Sequence, residues 1–168
     1  MGDSHKIVGA LLATTMSAAL GCSSVTNYLD RPFREPGERL KTFPEKVWSE
    51  YDCDHQPLPY FEIERLELFP KRLTPGGQLK HRMVYVLCPS RPTGVVAGTL
   101  SRSIMHRGNA IVRGQETHDL KPGRWVVDVF LDLPESAEIG VYALSVEFQS
   151  PSIRFDEALT FAVDAADD

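Results

Sequence analysis

The sequence has no Gly-x-Ser-x-Gly elbow, no phosphate-binding glycine loop and no His-Glu-x-x-His stretch, so the compact signatures of nucleophilic, nucleotide and zinc-protease chemistry are missing. It also lacks zinc-knuckle spacing, a basic helix and any basic run interleaved with aromatics, which removes the usual grounds for nucleic-acid binding. No sustained apolar run is long enough to span a bilayer comfortably, and no internal repeat is visible. Cysteine is confined to Cys22, Cys53 and Cys88. The expectation is a chain that is not an enzyme and that carries no cofactor and no resident metal.

What is present is a strand grammar. The 12 Gly and 12 Pro in 168 residues favour many short elements over long helices, and 42% hydrophobic content is enough for one ordinary core. From Gly123 to Leu133, Trp125, Val127, Val129, Leu131 and Leu133 alternate with Val126, Asp128, Phe130 and Asp132, the two-residue period of a strand with one dry face. Asp128 and Asp132 are then read as exposed carboxylates that serve solubility. Tyr142, Leu144, Val146 and Phe148 repeat the pattern.

Other strands are expected over Tyr60–Phe69, Leu79–Cys88, Val95–His106, a short Ala110–Arg113 and a last strand through Ile153, Phe161 and Val163. The first changes parity midway, so a bulge is expected near Glu64 and Arg65. Pro75-Gly76-Gly77 and Arg107-Gly108-Asn109 read as turns.

The stretch Leu133–Tyr142, with Pro134, Gly140 and Tyr142, resembles the corner before the sixth strand of immunoglobulin-like sandwiches. The resemblance implies that the Tyr142 hydroxyl returns to upstream backbone, with Gly140 in the turn. Leu144 stands where antibody domains place their second core Cys. The expected fold is therefore all-β, an immunoglobulin-like sandwich of about seven strands over residues 53–165, with an acidic tail at 166–168.

At the other end Lys6 precedes an uncharged run from Ile7 to Gly21, right in length for a signal-peptide core. Ala19-Leu20-Gly21-Cys22 resembles the cleavage box of bacterial lipoproteins. The resemblance implies removal of residues 1–21, acylation of Cys22 (palmitate among the chains) and, from Ser23, sorting to an outer membrane facing the periplasm. Residues 22–52 carry Pro32, Pro36, Gly37 and Pro44 and no sustained apolar period, so a lipid-anchored irregular tether is expected. A structured arm lying on the domain through Tyr28, Leu29, Phe33 and Phe43 is the alternative.

With Cys22 assigned to lipid, Cys53 and Cys88 remain as one pair in an oxidising compartment. Two buried free thiols are the competing reading.

Charge is divided along the chain. Residues 79–125 hold eight Lys or Arg against Glu116 and Asp119, whereas residues 126–168 hold Arg154 against ten carboxylates. Such a split means either weak pairing between neighbouring strands or a basic face for an anionic envelope polymer or an acidic protein. His81 and Met83 share one strand face, and Met105 and His106 lie on another strand, so the alternative function is a periplasmic carrier of a small ligand, held in the sandwich interior, or of a copper-type metal on these side chains. The favoured one is a membrane-anchored envelope lipoprotein acting as a non-catalytic binding or assembly module.

Overall fold

The computed structural model describes residues 35–91 and 93–166. The signal stretch, Cys22, the first part of the tether, Pro92 and the two final aspartates lie outside the described residues. The described chain is a β-sandwich. Its strands are β1 (Gly37–Thr42), β2 (Tyr60–Phe69), β3 (Arg72–Leu73), β4 (Gln78–Cys88), β5 (Val96–His106), β6 (Asn109–Leu120), β7 (Gly123–Asp132), β8 (Gly140–Gln149) and β9 (Arg154–Val163). A helix, α1 (Pro44–Glu50), and a single 3-10 turn (Cys53–His55) lie between β1 and β2.

One sheet has the order β1-β7-β4-β2 and the other β3-β9-β8-β5-β6. Every pairing is antiparallel except that of β3 with β9. The strand alternation explains the two layers. Leu79, Met83, Tyr85 and Leu87 of β4 pack against Leu100 and Ile104 of β5 and Leu144, Val146 and Phe148 of β8 in one buried cluster. The Tyr85 phenol is satisfied inside that cluster by the Lys121 backbone amide at 2.9 Å, and burial pushes its pKa up.

The expected bulge is present. Pairing of β2 with β4 shifts between Ile63 and Arg65, which leaves Glu64 without an opposite residue. The β5–β6 hairpin turns through Arg107 (φ 49°) and Gly108 (φ 80°), the left-handed pair that a tight hairpin requires.

Three expectations are corrected. Residues 37–50, assigned to the tether, are an edge strand and a helix. β1 supplies hydrogen bonds to the free edge of β7, and Pro44 stands at the start of α1, where its missing N–H costs nothing. The prolines bound the elements rather than forbid them. The strands number nine among the described residues rather than about seven, because β1 and the short β3 were not anticipated. Finally, β6 runs on to Leu120 instead of stopping at Arg113. As an edge strand its second half is mostly polar and exposed, so it has no apolar period to read.

Candidate binding surface

The two outer faces of the sandwich are built differently. On the four-stranded sheet, Val84, Val86 and Cys88 of β4 point outward, and α1 closes over the last two. Val47, Cys53, Val86 and Cys88 form a second buried cluster, with Trp48, Tyr51 and Tyr60 packed around it. Cys53 and Cys88 are joined as a disulfide across a sequence separation of 35.

Beside this lid, Arg124 of β7 gathers the neighbouring elements. Its Nη2 donates to Glu50 at 2.7 Å and to Glu64 at 2.6 Å, and the Tyr51 hydroxyl donates to Glu64 at 2.6 Å. Hydrogen bonding to Glu50 and then Glu64 raises the Arg124 pKa. The unpaired bulge residue Glu64 thus becomes the carboxylate that ties β2 to β7 and α1.

Further along the same face Asp128 is buried, which corrects its reading as a solubility residue. Arg82 of β4 holds it through Nε at 2.6 Å and Nη2 at 2.9 Å, and Arg39 of β1 donates to it from the other side. Burial pushes the Asp128 carboxyl up, but the Arg82 and Arg39 hydrogen bonds together outweigh it and hold the carboxyl below its usual range. Sequence offered one signal for this: the nearest residues on the same strand face, Val126 and Phe130, are apolar.

At the opposite sheet's corner the Tyr142 hydroxyl donates to the Glu138 carbonyl at 2.7 Å. His106 stacks on the Tyr142 ring with centroids 4.1 Å apart, and its Nδ1 is 3.0 Å from the Val141 carbonyl oxygen. Gly140 has φ 152°, and a Cβ there would sit 3.0 Å from His106 Cε1, so this position takes glycine on both counts.

The four residues considered for a copper-type site do not meet. His81 and Met83 lie in the core on β4, His106 is spent on the corner, and Met105 points to the outside of β5. Among the described residues no group of three or more His, Cys, Asp or Glu is placed to hold a metal ion.

The outer face of the five-stranded sheet carries no helix and no strap among the described residues. It is surfaced by small side chains, and Ser101, Ser103 and Met105 of β5 with Arg113 of β6 and Ser145 and Glu147 of β8 line a shallow groove of about 450 Å³. Ser145 Oγ donates to Glu147 at 3.3 Å. The guanidinium can donate hydrogen bonds to a polar partner, the carboxylate can accept them, and the hydroxyls can do either. They do not amount to a nucleophile with a base, since His106 faces inward.

Elsewhere the basic stretch is largely spent internally. Arg82, Arg102, Arg107, Lys121 and Arg124 each pair with a carboxylate. Arg113 has no ion pair among the described residues.

The sequence matches no protein-family model and no curated protein. Its structure is similar to parts of larger solved enzymes. A Paenibacillus cycloisomaltooligosaccharide glucanotransferase aligns at 18% identity and TM-score 0.47 over 64% of this chain and 14% of its own. A Listeria innocua beta-glucosidase aligns at 16% identity and TM-score 0.45 over 64% of this chain and 16% of its own. A family 123 glycoside hydrolase from Clostridium perfringens aligns at 12% identity and TM-score 0.45 over 79% of this chain and 28% of its own. The chain therefore spans less than a third of each of these proteins.

Proposed function

We propose that this protein is a membrane-anchored cell-envelope lipoprotein whose sandwich is a non-catalytic binding or assembly module, and that the outer face of the five-stranded sheet is its contact surface. The observation that carries the reading is the inequality of the two faces. One is closed by α1, the disulfide and the Arg39–Asp128–Arg82 bridge, while the other presents small polar side chains with nothing over them among the described residues. A rigid two-layer frame with one sealed and one open face suits recognition without chemistry.

The anchor rests on Lys6, the uncharged run to Gly21 and Cys22. No helix among the described residues is long and apolar enough to cross a membrane. Acylation supplies attachment by another route, since each buried methylene contributes about 0.8 kcal/mol and two or more chains hold lastingly where one does not. The Cys53–Cys88 disulfide agrees with an oxidising envelope compartment.

Intact mass spectrometry of the membrane fraction tests the anchor. The expected species begins at Cys22 and carries acyl mass, and Cys22→Ala moves the protein out of that fraction. An intact chain of 18.8 kDa without added mass overturns it.

A further inference from the structure

The open face of the five-stranded sheet carries charge at both margins, and in opposite order. On β6, Arg113 is level with Ser103 of β5 and Asp119 is level with Ala97. On β9, at the other side of the face, Asp156 is level with Glu147 of β8 and Arg154 with Gln149. Followed toward the pole where β7 begins, β6 therefore reads positive then negative, and β9 reads negative then positive. All four side chains belong to exposed residues, and none has an ion pair among the described residues.

None of these charges can satisfy its opposite across its own sheet. β5 and β8 lie between β6 and β9, and three strand spacings hold Arg113 and Asp156 about 14 Å apart. Between the margins the face is short: Ser103 stands beside Ser145, and farther along β8 Val141 is 70% exposed. A flat surface with a small-residue centre and margins of opposite charge order is complementary to itself.

We propose that this face packs on the same face of a second copy of the chain, about a two-fold axis that runs along the strands between β5 and β8. This pairing rests on the reading of the open face as the contact surface, and it names the occupant. The axis lays β6 of each copy along β9 of the other, so Arg113 comes beside Asp156 and Asp119 beside Arg154, each offset by one pleat, and each contact occurs twice. Ser103 faces Ser145 across the centre, where short side chains let two sheets approach to about 10 Å. An overlap of about 19 Å by about 35 Å buries roughly 1,300 Å² over the two copies, within the range of stable pairs.

Turning the second copy end for end would also set opposite charges together, Arg113 then meeting Asp119. The anchor decides between the two. Gly37, where the chain from Cys22 joins the sandwich, lies toward the pole away from Gly123. An axis along the strands keeps both copies' Gly37 at one pole, as two lipids in one membrane require; the end-for-end pair puts them at opposite poles.

The test uses the full chain extracted from membranes in a nonionic detergent, its mass followed by sedimentation as the protein is diluted. A dimer is expected. Arg113→Glu sets like charges together at two places, as does Asp156→Arg, and each is expected to raise the dissociation constant by about tenfold or more. The two substitutions in one chain exchange the signs at each contact and are expected to restore it. A monomer at every concentration, a dimer indifferent to the single variants, or no restoration in the double variant overturns the pairing. A photo-crosslinking residue at Ser103 supplies a second readout that needs neither variant. Its product is expected to have twice the mass of the chain and to join β5 of one copy to β8 of the other. Capture of a different protein there would overturn the self-pairing and leave the open face standing as the contact surface.

Discussion

His81 is an ionisable side chain held where its charged form is unwelcome. Burial, then the Arg102 charge, pushes its pKa from 6.5 to about 4, with Asp128 pulling weakly the other way. The sign of the consequence follows from linkage. Between about 4 and 6.5 the unfolded chain binds a proton that the native chain refuses, so native stability is complete above that window and is lost as pH falls through it, by up to about 3 kcal/mol. His118 is pushed down too, by burial first, and adds to the same loss.

Asp128, whose carboxyl is held low, loses its contribution only at more acidic pH, so the two effects separate. His81→Leu is expected to flatten the fall in urea-measured stability between pH 7 and pH 4.5. An unchanged fall would mean that His81 titrates normally. Sequence showed a His on an apolar strand face, but not that Arg102 reaches toward it from the facing sheet.

At the scale of elements, α1 has only seven residues, too few to hold as a helix by itself in water. It persists because Val47 is fully buried against Val86 and Cys88, and because the disulfide closes the chain over it. Replacing both Cys53 and Cys88 by Ser should cost about 3 to 4 kcal/mol on the chain-entropy argument for a loop of roughly 35 residues. The loss should be visible as new protease cleavage between residues 43 and 56 while the strand signal of the sheets persists. Unaltered melting and protease resistance would show that packing alone retains the helix.

These elements also mark how far sequence reading goes. β2 was legible to its end residues, bulge included, because a strand packed on a sheet prints its period in its own letters. β1 and the far half of β6 were not, because both are mostly polar and exposed and are held by backbone pairing and by charges distant in the chain. Arg39 meets Asp128 across 89 positions, and no local pattern carries that information.

Across the whole molecule, charge is arranged to close the seams of the sandwich rather than to project a field. Glu38 of β1 bonds Lys121 and lies 3.3 Å from His118 of β6, which links the edges of the two sheets along one side. The uneven distribution of charge along the sequence is thus consumed in part by folding. On the proposed reading, recognition falls to shape and hydrogen bonding on the open face, whose serines, Met105, Arg113 and Glu147 leave no motif in the sequence.

That assignment distinguishes one face from the other in the cell. A photo-crosslinking residue placed at Ser103, in the groove of the five-stranded sheet, is expected to capture a discrete envelope partner. The same residue at Glu45, on the exposed side of α1 over the sealed face, is expected to capture none. Both positions are on the surface of elements whose buried contacts lie elsewhere, so neither substitution disturbs the core, and folding can be checked by the intact Cys53–Cys88 bond. Equal capture at both positions would remove the open face as the contact surface. Capture at Glu45 alone would transfer that role to the helix and its disulfide.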